Sequence, residues 1–248
     1  MMPAALALAL AAVAFLYASV GHAGASGYIA VLALAGEQPE QIKPLALILN
    51  TVVASAGCWN FLGAGHLPWR RLWPVYLLAL PGAFFGGWLN LPGPWFQRLV
   101  GLVLLASAWR LGRQSDDPAQ LEAPRRLWLV SAGGGLGLLA GLTGTGGGVF
   151  LTPLLLLGRW CSTRQAAAVS VLFILLNSIA GLAGLMLARP QALSDVLRPE
   201  WAGLLVLVLV AGASGSRLGS RHWPVIWIRR CLAAVLVLAA LKLLALVP

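Results

Sequence analysis

Leu142-Thr143-Gly144-Thr145-Gly146-Gly147-Gly148-Val149-Phe150-Leu151-Thr152-Pro153 is the stretch that most constrains this chain. Glycine leaves helical angles at little steric cost, and proline removes a backbone donor. A continuous helix through this run is therefore disfavoured. The sequence on either side, residues 127–142 and 154–157, is nonetheless apolar. In lipid, broken backbone survives only where protein or a polar cavity surrounds it. The run thus demands a fold that encloses it.

Lipid is the solvent that the composition selects. Of 248 residues, 60% are hydrophobic and 10% charged, and the mean hydropathy is +0.86. These values predict an all-α polytopic membrane helix bundle and exclude an ordinary soluble domain. The formal charge of +10 comes without a long basic patch interleaved with aromatics. It reads as loop charge that sets membrane orientation, with no nucleic-acid surface. Cys58, Cys161 and Cys231 lie far apart in apolar sequence and match no metal or redox spacing. Many of the eleven tryptophans lie near segment ends, where indoles anchor helices at the interface.

Along the chain, the apolar stretch 3–20 has no basic segment ahead of it, so it reads as a retained first helix. Gly21-His22-Ala23-Gly24-Ala25-Ser26-Gly27 then interrupts it, and residues 28–35 form an apolar segment too short to cross a bilayer. Glu37, Glu40 and Lys43 mark a polar turn. Further spans are expected at 44–62, which carries Asn50, Thr51 and Ser55, at 74–89 and at 94–109. The second half offers 127–142, the glycine break, the short segment 150–157, and spans at 165–188, 201–218 and 225–246. The span 165–188 carries Ser170, Asn177 and Ser178.

The two halves share one order: helix, glycine break, short segment, span with a central asparagine, and two more spans. The first break answers the second, Asn50 answers Asn177, and Gly82/Gly86 answers Gly215/Gly219. The spacing predicts two membrane repeats, 1–111 and 127–248, joined by a polar cytoplasmic linker at 112–126, with eight to ten membrane segments in all. Counting ten crossings with Arg70 and Arg71 inside puts 12 basic residues in the cytoplasm and 5 outside. This is a clear positive-inside bias. Five crossings per half invert the second repeat relative to the first, a common transporter architecture. Treating the short segments as re-entrant leaves four spans per half and parallel repeats.

All seven acidic residues fall outside the proposed helix interiors, so neither a carboxylate relay nor a dense cation site is expected. The run 144–148 lacks the Lys-Ser/Thr of a phosphate-binding loop and the strand of a dinucleotide fold. No catalytic triad, metal set or cofactor site is expected. Two breaks meeting near the bilayer centre would instead present helix-start N–H groups to an anion. The candidate binding or gating residues are Gly21, His22, Gly24, Ser26, Asn50, Thr143, Gly144, Thr145, Gly146, Gly147, Gly148, Thr152 and Asn177. The expected partners are a small anion and the lipid bilayer, and a homo-oligomer stays open. The alternative reading is a non-transporting membrane scaffold whose small-residue faces bind partner helices.

The sequence also resembles a known family. Gly141 through Pro153, followed by Ala166-Ala167-Ala168-Val169-Ser170 and the Asn177 helix, is similar to the glycine-rich signature of the sulfite exporter TauE/SafE family. Residues 21–27 look like a diverged copy, with His22, Ala23 and Ala25 replacing glycines. The resemblance implies a bacterial inner-membrane permease that exports sulfite, an organosulfonate or a related anion, and movement of one repeat against the other would expose its site alternately.

Overall fold

The computed structural model describes residues 4–89, 93–113, 121–192 and 201–220, together with helical positions 234, 237, 240, 241 and 244. Its helices are α1 (Ala4–Ser19), α2 (Ala25–Ala35), α3 (Pro39–Gly63), α4 (Trp69–Leu72), α5 (Ala79–Trp88), α6 (Gly93–Arg113), α7 (Arg126–Thr143), α8 (Gly148–Leu157), α9 (Thr163–Ala188) and α10 (Ala202–Gly219). Among the described residues, four stretches are long and apolar enough to cross a bilayer: Glu40–Gly63, Arg126–Thr143, Thr163–Ala188 and Ala202–Gly219. α1 and α2 are apolar but shorter. The all-α membrane bundle is thus present.

The long central helices owe their starts to local chemistry. α9 opens on a capping box, in which Gln165 N–H donates to Ser162 Oγ and Ser162 N–H donates to Gln165 Oε1. α3 opens with Pro39 in its first turn and carries Pro44 within it. Pro44 cannot donate to the Glu40 carbonyl four residues earlier. The Arg189 guanidinium, just past the end of α9, donates to that carbonyl at 3.2 Å. One helix end therefore satisfies the defect in the other.

Three sequence expectations are corrected. Residues 74–89 do not form one continuous span. α4 runs into a 3₁₀ turn, Trp73–Tyr76, where Pro74 has no backbone N–H, and α5 begins only at Ala79. The first break is also shorter than expected: Ser26 and Gly27 already lie in α2, with Gly27 packed against Val13 and Tyr17. Lys43 lies within α3 and is buried, so it belongs to no polar turn. The expected last span and the linker interior fall largely outside the described residues.

Glycine spacing sets the packing. α5 lies against α7 and α9, α1 against α10, and α3 against α9 and α10. On α7, a Cβ at Gly133, Gly137 or Gly141 would strike the carbonyls of Val75, Ala79 and Ala83. On α10, Gly215 and Gly219 face the carbonyls of Phe15 and Ser19 in the same way. These backbone-to-backbone approaches are the small-residue contacts by which membrane helices pack. Trp59, Trp69, Trp73, Trp88, Trp95, Trp109 and Trp128 are exposed, as interfacial anchors would be.

The bundle ends differ. Arg71 Nη2 donates to the Glu122 carbonyl, Glu122 N–H donates to Arg159 O at 2.7 Å, and the Arg159–Glu122 charges are 3.8 Å apart. These contacts gather one end; Glu40 and Arg189 mark the other end of α3 and α9. Gly137→Ala should lower the melting temperature in detergent, because overpacking of this kind costs about 1–3 kcal/mol. Gly135→Ala, which meets nothing within 4 Å, should leave it unchanged or slightly raised. Equal melting of the two variants would contradict the packing described.

Candidate functional site

The two breaks are built alike. α2 starts from Gly24 at φ 104° and α8 from Gly147 at φ 78°. A side chain would strain either position, so only glycine turns the chain there cheaply. Gly144 and Gly146 also have positive φ.

Each break is braced by the other half of the chain. Gly21 abuts Ala167 of α9, and Gly144 abuts the Lys43 backbone of α3. A Cβ on Gly146 would lie 2.9 Å from Asn50 Nδ2 and 3.3 Å from Ser178 Oγ. Asn50 on α3 and Ser178 on α9 therefore converge on one glycine of the second break. Gly147 packs on Phe173 and Gly148 on Ile174. Asn177 sits on the same α9 stripe as Ser170, Phe173 and Gly181, by three- and four-residue spacing.

Asn50, Asn177 and Ser178 are 0%, 1% and 0% exposed. Among the described residues, both amide atoms of each asparagine and the Ser178 hydroxyl have no hydrogen-bond partner. Five unsatisfied buried polar atoms on two helices that pack together need an explanation, since each costs about 1–3 kcal/mol. Depth adds to this. Asn50 follows Glu40 by ten residues and Asn177 precedes Arg189 by twelve, so both lie about 15–18 Å along their helices from that end. That is near the middle of a hydrocarbon core about 30 Å thick.

A second cluster joins the breaks. Thr152 Oγ1 on α8 is 3.2 Å from His22 Nε2 and 2.6 Å from Ser170 Oγ on α9. The other candidates have local partners. Ser26 Oγ is 2.9 Å from the Tyr17 hydroxyl. Thr143 Oγ1 donates to Leu139 O and lies 2.8 Å from Thr145 Oγ1. Gly24 faces the ring of Tyr28. The structure thus brings Gly146, Asn50 and Ser178 together with Gly147, Gly148 and the Asn177 stripe, and separately groups His22 with Thr152. It does not bring Ser26, Thr143 or Gly24 to the amides.

Sequence reasoning left Ser170, Ser178 and Lys43 out of the site. Ser170 was findable by helical spacing from Asn177, and Ser178 by four-residue steps from Ser170 through Ile174. Lys43 precedes Asn50 by seven residues on one face of α3, and its ammonium donates to the carbonyls of Gly86, Gly87 and Leu89 at 3.0–3.2 Å. It is a fixed buried cation beside Gly144, capping the end of α5. A separate cleft of about 710 Å³, lined by Trp59, Asn60, His66, Ser214 and Arg217 among others, opens between the far ends of α3 and α10. Among the described residues, no group of three metal-ligating side chains occurs.

A sequence model of the sulfite exporter TauE/SafE family matches residues 6–243. A probable membrane transporter protein of Sinorhizobium fredii is 38% identical over 244 residues, covering 96% of this chain and 97% of its own. A probable membrane transporter protein of Methanocaldococcus jannaschii is 27% identical over 135 residues, covering 51% of this chain and 48% of its own. No solved structure matches the chain.

Replacing Asn177 with leucine, of similar volume, removes an unsatisfied amide. The melting temperature of Asn177→Leu in detergent should equal or exceed that of the native chain. A fall of several degrees would show that the amide is satisfied in the resting protein.

Proposed function

The chain belongs to the sulfite exporter TauE/SafE family, and we propose that it is a secondary carrier of a small sulfur-containing oxyanion. The observation that carries this reading is the set of five unpartnered polar atoms on Asn50, Asn177 and Ser178, of which Asn50 and Ser178 converge on Gly146. Amide and hydroxyl donors, together with the N–H groups that any first helical turn leaves unpaired, suit the oxygens of sulfite or a sulfonate. Neutral donors hold an anion without the grip of a salt bridge, which favours release. Lys43 adds a positive field a little further along α3, fixed on carbonyl oxygens.

Alternating access would follow from two inverted repeats of a chain with eight to ten membrane segments. Reciprocal packing supports this. The first helix of each half lies against a later helix of the other, α1 against α10 and α7 against α5, while α3 and α9 face each other. Each break is also braced across the halves. A bacterial inner-membrane location and export from the cytoplasm complete the reading.

The purified chain in liposomes should show saturable flux and counterflow for at least one of sulfite, sulfoacetate and methanesulfonate. Asn50→Ala and Asn177→Ala should each cut that flux about tenfold or more, the loss expected for one hydrogen bond to a charged ligand. Ser55→Ala should leave it unchanged, since that hydroxyl is exposed and bonds its own helix at Thr51 O. Absence of flux across the panel would refute the carrier, and equal flux in all three variants would refute the site.

A further inference from the structure

The carrier reading makes no use of His22, yet this imidazole is 6% exposed and lies between the two halves. Its Nδ1 is 3.2 Å from the Val20 carbonyl. A carbonyl can only accept, so Nδ1 carries a hydrogen. In the neutral ring Nε2 is then an acceptor, filled by the Thr152 hydroxyl at 3.2 Å. Thr152 Oγ1 in turn accepts from the Ser170 hydroxyl at 2.6 Å. The direction of this chain is set by one lone pair on His22.

We propose that His22 is a proton-binding site, and that it takes up a proton when the anion binds. This rests on the carrier reading above. The proton comes from water on the side to which the site is open, and it forms one N–H bond at Nε2. Both ring nitrogens then donate. Thr152 Oγ1 changes from donor to acceptor toward His22, and its own hydrogen turns to Ser170 Oγ. Ser170 must then aim its hydrogen at a third acceptor. One protonation thus reverses every bond in a chain that runs from the first break, through α8, into α9.

The same α9 face serves the anion. Ser170 and Ser178 are eight residues apart, about 12 Å along one stripe, with Ile174 between them against Gly148. A positive ring at His22 attracts the anion, and the bound anion stabilises the positive ring; linkage makes the two effects equal. The loaded pair of one proton and one monoanion carries no net charge. Among the described residues, the titratable and charged groups on the surrounding elements are few. Tyr17 bonds Ser26, Tyr28 donates to Ala23 O, and Lys43 is held by the α5 carbonyls. Arg164 on α9 and Arg217 on α10 are exposed. Tyr76 donates to Val169 O, and Cys161 is buried in the same cluster as Leu151 and Val169.

The test uses the full chain in nanodiscs, with methanesulfonate and sulfoacetate as probes; the sulfonate groups keep their charge between pH 5.5 and 8. In weakly buffered solution with a pH indicator, binding should draw up to one proton per anion from the medium, and His22→Gln should abolish that uptake. Nitrogen-15 spectra of the histidine rings should show His22 as the Nδ1–H tautomer without anion, converting to imidazolium when anion is added. Binding without proton uptake, or an Nε2–H tautomer, would overturn the inference and leave the carrier intact. If neither anion binds, the carrier reading fails for sulfonates. The ring spectra of the anion-free chain still decide His22: protonation as pH falls supports the site, and a neutral ring down to pH 5 overturns it.

Discussion

Backbone amides at membrane depth have no water to turn to, and this governs the molecule. Every helix that breaks must find partners in protein or along a polar cavity. Among the described residues, glycine breaks lie at residues 20–24 and 144–147, and each leans on the other half: Gly21 on Ala167, Gly144 on Lys43, Gly146 on Asn50. α9 is the shared wall, since Ala167, Ser170, Ile174 and Ser178 all face one break or the other. The same economy recurs at Pro44, where Arg189 takes the carbonyl that the proline leaves open. Half a chain would leave these groups exposed to lipid.

Against that background the idle polar atoms of Asn50, Asn177 and Ser178 stand out. A bundle that satisfies a carbonyl with an arginine from another helix would not leave two whole amides unpaired for packing alone. Leucine at those positions would fill the space at lower cost. Their retention is understandable if the donors are kept for something that comes and goes. Lys43 shows the contrast: its charge is buried too, but three carbonyls hold it. In the carrier we propose, the held cation would shape the field while neutral groups made the contacts, a division that suits a site which must also release its cargo.

Much of this was legible in the sequence. Glycine clusters within apolar sequence located both breaks. Small residues at four-residue spacing marked the contact of α5 with α7 and of α10 with α1. The failures have physical causes. Lys43 looked like loop charge because its neighbours Glu37 and Glu40 are polar; only the carbonyl end of α5, more than forty residues away, makes a buried ammonium tolerable. Pro74 began an apolar run of spanning length, but the 3₁₀ turn that follows depends on a missing N–H, which hydropathy does not see. Nor does sequence show the local partners that Ser26 and Thr143 find in the Tyr17 hydroxyl and Leu139 O.

The most direct measurement is an anomalous-scattering map of crystals grown with selenite, a heavier relative of sulfite. A selenium peak should lie beside Gly146, placed so that the selenite oxygens accept from Asn50 Nδ2 and Ser178 Oγ. Selenium bound only in the cleft of Trp59, His66 and Arg217, with the amides still unpaired, would contradict the central claim.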